Sequence, residues 1–158
     1  VQKPPSLPPR WFIRAFWAAQ RLLYAATRGR LGLRAATPGR WGMLRLRTVG
    51  RRTGAERTAI LGYLEDGPDL VTLAMNGWGD AEPAWWLNLQ AQPDAVVDLP
   101  GGPRDVRGRA ARPDERPRLW ARWGAFNKDL DAEAALRPRE TAVVILSPRP
   151  QSGQGGQG

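Results

Sequence analysis

Residues 43–49, Met-Leu-Arg-Leu-Arg-Thr-Val, alternate with a period of two. Met43, Arg45, Arg47 and Val49 fall on one face and Leu44, Leu46 and Thr48 on the other, which predicts a half-buried antiparallel strand. Residues 57–64 and 70–75 predict two further strands. The three are joined by Gly-Arg-Arg-Thr-Gly at 50–54 and Asp-Gly-Pro-Asp at 66–69. Connections this short make a meander, because a parallel pair needs a long crossover. Residues 76–83, Asn-Gly-Trp-Gly-Asp-Ala-Glu-Pro, form a glycine loop ending in a proline suited to a helix start. A short helix over 84–91 follows and stops near Pro93. Residues 95–99 and 104–112 flank Pro-Gly-Gly-Pro and predict a second hairpin. Asp114 is placed to cap a helix reaching about residue 126. Residues 127–140 have no clear period, and Thr-Ala-Val-Val-Ile-Leu at 141–146 is a β-branched closing strand. About six mostly antiparallel strands with short covering helices predict an α+β fold built on a small β-barrel.

The ends of the chain read differently. Residues 1–10 carry four prolines and predict an extended leader. Over 11–24, Trp11, Ile13, Ala15, Phe16, Ala19, Leu22 and Leu23 recur at helical spacing, with Arg14, Gln20 and Arg21 largely elsewhere on the wheel. This is an amphipathic helix with aromatic and basic character. It can pack on its own domain or touch a membrane surface, since Trp, Phe and Arg suit a headgroup boundary. Residues 29–42 hold four glycines and connect it to the first strand. Residues 151–158, rich in Gly and Gln, predict disorder. The expected division is a leader and helix at 1–38, a barrel at 39–148 and a tail at 149–158.

Composition narrows the chemistry. The chain has 158 residues, with no His and no Cys. That removes Cys nucleophiles, Ser-His-Asp triads, disulfides and zinc sites built on those ligands. The net charge is +9, carried almost wholly by Arg, since only Lys3 and Lys128 are lysines. Such a balance attracts anions. The basic residues are dispersed and no nucleic-acid motif accompanies them, so a nucleic-acid partner is not expected. No uninterrupted apolar run with a small-residue cleavage site occurs near residue 1. A cytoplasmic location is expected, with residues 11–24 the segment suited to the inner face of a membrane.

Two segments can carry chemistry. In Gly50-Arg51-Arg52-Thr53-Gly54 the glycines let the backbone turn tightly and expose its amides. Arg51, Arg52 and Arg57 offer planar forks for phosphate or carboxylate, and the Thr53 hydroxyl can join them. The plain alternative is a basic hairpin turn that only meets solvent. The motif is neither a Walker loop nor GxGxxG. The second segment, Asn76-Gly-Trp-Gly79 leading into Pro83-Ala-Trp-Trp-Leu-Asn88, could present amides to a ring's edge and indoles to its face. The competing reading places Trp85, Trp86 or Leu87 in the core. Asp129, Asp131 and Glu133 alternate without an acid–base partner and read as a solvated loop.

Together, TVGRRTGAERTAILGYLEDG at 48–67 and AMNGWGDAEPAWWLNLQAQPDAVV at 74–97 resemble the deazaflavin (F420)-dependent nitroreductase family of split β-barrel proteins. RETAVVILSP at 139–148 matches less specifically, and the similarity spans about 43–148. The resemblance implies a split β-barrel that binds F420, whose stem carries a phosphate and a glutamate tail. It places Arg51, Arg52, Thr53 and Arg57 on phosphate or tail carboxylates. Thr58, Ala59, Ile60, Leu61 and Gly62 would run alongside the cofactor, and Leu73, Ala74, Met75 and Asn76 would line the ring pocket. Ala84, Trp85, Trp86 and Asn88 would cover phosphate or ring from the helix start. Hydride would pass from reduced F420 to a hydrophobic quinone, enone or nitroaromatic acceptor, with no catalytic residue of the protein's own. FMN, bound by barrels of the same architecture, is the weaker cofactor candidate. Related barrels often dimerise, although no residue here requires it.

The sequence also departs from the family. Position 52 is Arg where Lys is usual, and position 86 is Trp where Tyr is usual. The substrate-facing tyrosines fall on Asn127, Leu130 and Glu133, and the chain holds only Tyr24 and Tyr63. A non-catalytic barrel that binds F420 or a lipid-like ligand is therefore the alternative.

Overall fold

The structure, a computed structural model, describes residues 11, 14, 15, 33–75, 79 and 81–150. The leader, most of the helix expected over 11–24, Asn76 and the tail at 151–158 lie outside them. Six strands are present among the described residues: β1 Gly42–Val49, β2 Glu56–Asp66, β3 Asp69–Leu73, β4 Asp94–Leu99, β5 Gly102–Ala110 and β6 Val143–Pro148. Over residues 33–75, 79 and 81–150 three helices accompany them: α1 Ala84–Ala91, α2 Arg116–Gly124 and α3 Leu130–Ala134. The strands close into a barrel in the order β1-β2-β3-β6-β5-β4, and every neighbouring pair is antiparallel. Closure leaves no open sheet edge in the barrel.

The alternation in β1 is realised as read. Leu44 and Leu46 are fully buried inside the barrel and Thr48 is 2% exposed, while Arg45 and Arg47 lie outside against Asp98 of β4. Leu61, Tyr63, Val97, Val106, Val144 and Leu146 fill the same interior. Each such side chain contributes roughly 1.5–3 kcal/mol by leaving water. Helix α1 closes one end, sending Trp85, Trp86 and Leu89 into this core. Leu89 enters because Gly108 has no side chain: a Cβ there would come within 2.9 Å of the Leu89 Cδ1.

A second core lies outside the barrel wall. Val71 and Leu73 of β3 and Val143 and Ile145 of β6 point outward and pack under Leu119 of α2 and Leu130 of α3. Burial on both faces is why Val-Val-Ile-Leu in β6 is an unbroken apolar run.

Three expectations change in detail. Helix α2 begins at Arg116 with Glu115 at its N-cap position, so Asp114 does not cap it. Instead the Glu115 carboxylate accepts from the Arg112 backbone N–H at 3.0 Å, and Asp114 pairs with the Arg112 side chain. The stretch 127–140, which has no sequence period, contains the short helix α3. Its five residues are too few for a period to show. The last strand begins at Val143, which pairs with Leu73 at the end of β3.

Candidate functional site

The turn between β1 and β2 is built from within. The Gly50 N–H donates to the Ala55 carbonyl at 2.7 Å and the Gly54 N–H to the Gly50 carbonyl at 2.8 Å. Gly54 has φ +72°, a conformation that favours glycine. A Cβ on Gly50 would stand 2.9 Å from the Ala55 carbonyl oxygen, so a side chain there would force the turn open. The support comes from α1. Asn88, 2% exposed, accepts at Oδ1 from the Arg51 backbone N–H at 3.2 Å and from the Arg51 guanidinium at 3.0 Å. Its Nδ2 donates to the Thr48 hydroxyl at 3.2 Å. The side-chain amide of Asn88 is thus used on the protein itself, and it fixes the turn to the helix.

Outside the turn, arginines are matched to acids. Arg45 and Arg47 share Asp98 at 2.7 and 2.9 Å, and Arg109 meets Glu115 at 2.7 Å. Arg118 and Arg122 share Asp66, and Arg149 lies between Asp94 and Asp105. In the turn the arrangement is opposite. Arg51, Arg52, Arg57 and Thr58 are exposed, and among the described residues none of these three arginines has a carboxylate partner. Arg14, Arg34, Arg40 and Arg104 also lack one, but none of them lies in this turn, and Arg34 is spent on the Trp41 carbonyl and ring. Thr53 is exposed too, its hydroxyl accepting from the Ala55 N–H at 3.2 Å. Three unneutralised guanidinium groups on a glycine-framed turn form a site for phosphate or carboxylate oxygens.

Two carboxylates that face matched arginines are lowered. The Arg109 guanidinium, with the Arg112 N–H, holds Glu115 down from 4.5 to about 2. Hydrogen bonding from Arg118 lowers Asp66. Burial pushes the Tyr63 phenol up, although its oxygen accepts from the Ala36 N–H.

The second segment comes to the same end of the barrel, because α1 links the two. Ala74 and Trp85 lie in the inner core beside Trp86, the two indoles meeting edge to face at 6.4 Å. Glu82, Gly79, Ala74 and Thr141 converge on one buried side chain, Arg137. Its Nε donates to the Gly79 carbonyl at 3.0 Å. One terminal nitrogen donates to the Ala74 carbonyl at 3.2 Å and the Thr141 hydroxyl at 2.7 Å, and the other to Glu82 at 2.8 Å.

The model of the F420H(2)-dependent quinone reductase family matches residues 18–148. The chain belongs to this family. It is 34% identical over 132 residues to an F420H(2)-dependent quinone reductase of Mycobacterium tuberculosis, covering 80% of this chain and 86% of that one. A putative F420H(2)-dependent quinone reductase of the same species is 35% identical over 100 residues, covering 63% of this chain and 83% of its own. Among solved structures, an F420-H2 dependent reductase superposes with a TM-score of 0.60 over 66% of this chain and 93% of that one, at 21% identity. The split barrel, the enzyme class and the F420 cofactor expected from the sequence all stand.

Within this quinone reductase fold the expected cofactor residues sort by direction. Of residues 58–62, Thr58, Ile60 and Gly62 lie on the outer face of β2. Ala59 and Leu61 belong to the inner core and can offer only backbone. Trp41 and Trp123 lie over Gly62, where a Cβ would come within 3.0 Å of Trp41. The Trp123 indole N–H is buried without a hydrogen-bond partner among the described residues. Leu73 packs in the outer core, Met75 is 41% exposed, Ala84 is exposed, and Asn76 is not among the described residues. Of the two readings of Trp85 and Trp86, the structure has the core placement: they are 8% and 6% exposed and plug the barrel end.

The three positions expected to face substrate stand together on the helical cover. Asn127 donates to Glu133 at 2.9 Å, and Leu130 is 3% exposed in the outer core. Asn127 and Leu130 also line a groove of about 380 Å³ between α2 and α3, which contains no residue of the basic turn. Asp131 accepts from the Trp120 indole at 2.6 Å, so it and Glu133 are structural acceptors. Sequence reasoning missed Arg137. Its only sign is a charged residue shortly before an apolar strand, and its partners are up to 63 positions away.

Proposed function

We propose that this chain holds reduced F420 by its phosphate and tail carboxylates at the turn Gly50–Gly54 and reduces a hydrophobic quinone-like acceptor. The observation that carries this reading is the cluster of Arg51, Arg52 and Arg57. These arginines are without carboxylate partners among the described residues and lie in or beside a turn fixed by buried Asn88, whereas most other described arginines pair with an acid. The donor set fits the cofactor: planar forks for oxyanions on Arg52 and Arg57, with the exposed Thr58 next to them on the outer face of β2. When bound, F420H2 supplies the hydride. The protein's part is binding, orientation and exclusion of water.

Arg52 and Arg57 meet the oxyanions, and Arg51, held by Asn88, sets the turn's shape. Ala59 and Leu61 keep β2 seated on the core. With no His or Cys in the chain, no covalent step on those side chains is available to the reaction. Enones and nitroaromatics are the other activated acceptors the site would admit.

Fluorescence titration of the purified protein with F420 tests the reading, with FMN as the comparison. Saturable quenching at micromolar F420 supports it, and absence of quenching would falsify it. A preference for FMN would reassign the cofactor. Turnover with menadione, nitroaromatics and enones then tests catalysis. One observation favours a second reading, a non-catalytic F420 binder: at the substrate positions Asn127 and Glu133 bond to each other and Leu130 is buried. Tight binding with no turnover on any acceptor would establish that alternative.

A further inference from the structure

Gly62, on the outer face of β2, lies beneath two indoles. A Cβ there would come within 3.0 Å of the Trp41 Cε3 and 3.6 Å of the Trp123 Cη2, so the two rings meet where the glycine has no side chain. Trp41 is 37% exposed, and Arg34 holds it. The Arg34 guanidinium donates to the Trp41 carbonyl at 3.2 and 2.8 Å and lies over its ring at 4.8 Å. Trp123 arrives from α2, at the margin of the outer core.

Trp123 carries a second observation. Its Nε1 is buried and has no hydrogen-bond partner among the described residues. Arg47 Nε and Asp94 Oδ1 share that state, but each belongs to a group already paired, Arg47 with Asp98 and Asp94 with Arg107 and Arg149. An indole has one polar atom, so the donor of Trp123 is wholly unused. Trp120, on the same helix, shows the ordinary arrangement, its N–H donating to Asp131 at 2.6 Å. A buried donor left unmade costs stability, and a phenylalanine would fill much of the space without that cost.

We infer that the Trp123 N–H is the donor that meets a carbonyl oxygen of the quinone-like acceptor, beside Trp41 and over Gly62. This rests on the F420 reductase reading and adds to it the place of the acceptor. Gly62 lies along β2 from Arg57, roughly 17 Å away at the rise of a strand, so the contact is separate from the turn that grips the cofactor's tail. The N–H is closed off from solvent in the free chain. Trp41, the more exposed of the two indoles, turns aside on its anchored carbonyl to admit the oxygen. A quinone that takes up a hydride with its electron pair gathers negative charge on that oxygen, and a proton from water completes the hydroquinone. The N–H stabilises the charge as it grows, so it acts on kcat more than on KM.

The test uses the full chain with two changes at position 123. One is Trp123→Phe. The other places 3-benzothienylalanine there, which keeps the indole's shape and puts sulfur in place of the N–H. F420 affinity is measured by fluorescence, steady-state kinetics with menadione, and stability by thermal melting. In both variants kcat for menadione should fall by about three- to tenfold, the worth of one hydrogen bond. The F420 dissociation constant should stay near the wild-type value, and the melting temperature should hold or rise in the benzothienyl protein. That protein serves if Trp123→Phe does not fold. Unchanged kcat in the benzothienyl protein would overturn the inference, since a donor that never meets the acceptor moves only the melting temperature. A parallel loss of F420 affinity would overturn it too, by assigning the N–H to the cofactor. Wild-type protein that binds F420 and reduces no acceptor would likewise remove the acceptor site. Failure of the wild-type protein to bind F420 would instead count against the underlying reading.

Discussion

Two sets of arginines share this barrel, and they differ in what faces them. On the walls and under the helical cover, Asp98, Glu115, Asp66, Asp94 and Glu82 each meet one or more arginines. On the turn after β1, Arg51, Arg52 and Arg57 meet a neutral amide or solvent. The first set is the protein's own wiring, tying strand to strand and helix to strand. The second leaves a local excess of positive charge on a turn that buried Asn88 holds in place. A net charge of +9 says little until it is split this way, after which it points to one turn.

The comparison breaks most visibly if the turn is neutralised. Arg52→Ala combined with Arg57→Ala should weaken F420 binding by well over a hundredfold, since each charge-assisted hydrogen bond removed is worth about 1.5–3 kcal/mol. The melting temperature should stay at the wild-type value, because neither side chain bonds to another described residue. Comparable binding by the double variant would remove the distinction between the two sets. Asn88→Ala should have the next largest effect, and on both properties. It strips the Arg51 N–H and Thr48 of their partner at a buried site, costing about 1–3 kcal/mol of stability, and F420 affinity should fall as the turn loosens. Chemical denaturation and the same titration would read the two losses separately.

Asp98→Ala probes the matched set. Arg45 and Arg47 would lose the carboxylate they share, and denaturation should show a loss of about 1–2 kcal/mol for these partly exposed pairs. F420 affinity should hold or rise slightly, because positive charge is released beside the turn. Weaker binding would show that the wall arginines belong to the site after all. The smallest effect should come from acid. Glu115 is held from 4.5 down to about 2 and Asp66 is also lowered, so both bind protons less readily in the folded state. Their contribution is complete above the unfolded value and is lost as pH falls through the folded one. Thermal unfolding should therefore begin to soften as pH drops below about 4.5, and Glu115→Gln should flatten part of that slope.

Much of the fold can be read from periodicity, and much of the site cannot. Leu44, Leu46 and Thr48 alternate with arginines because one wall of β1 faces the core, and a period of two records that directly. The doubly buried β6 is equally plain. Trp85 and Trp86 are harder, since a tryptophan plugging a barrel end and one lining a pocket look alike in sequence. Arg51 and Arg137 show the limit most clearly. Both are arginines in glycine- or proline-containing stretches, yet one is exposed and the other wholly buried. The difference lies in partners 37 and 55–63 residues away. Long-range pairing of polar groups leaves no local period, so it appears only once the chain is folded.

The position of β6 in the barrel has a consequence for synthesis. It pairs with β3 on one side and β5 on the other, so until residues 143–148 have left the ribosome both of those strands have a bare edge. The outer core is equally incomplete, because Leu119 and Leu130 are waiting for Val143 and Ile145. A nascent chain that pauses between β5 and β6 presents two bare edges and a cover packed on β3 alone. Slow translation over residues 111–142 is therefore the stretch of synthesis at which this barrel is most exposed to aggregation.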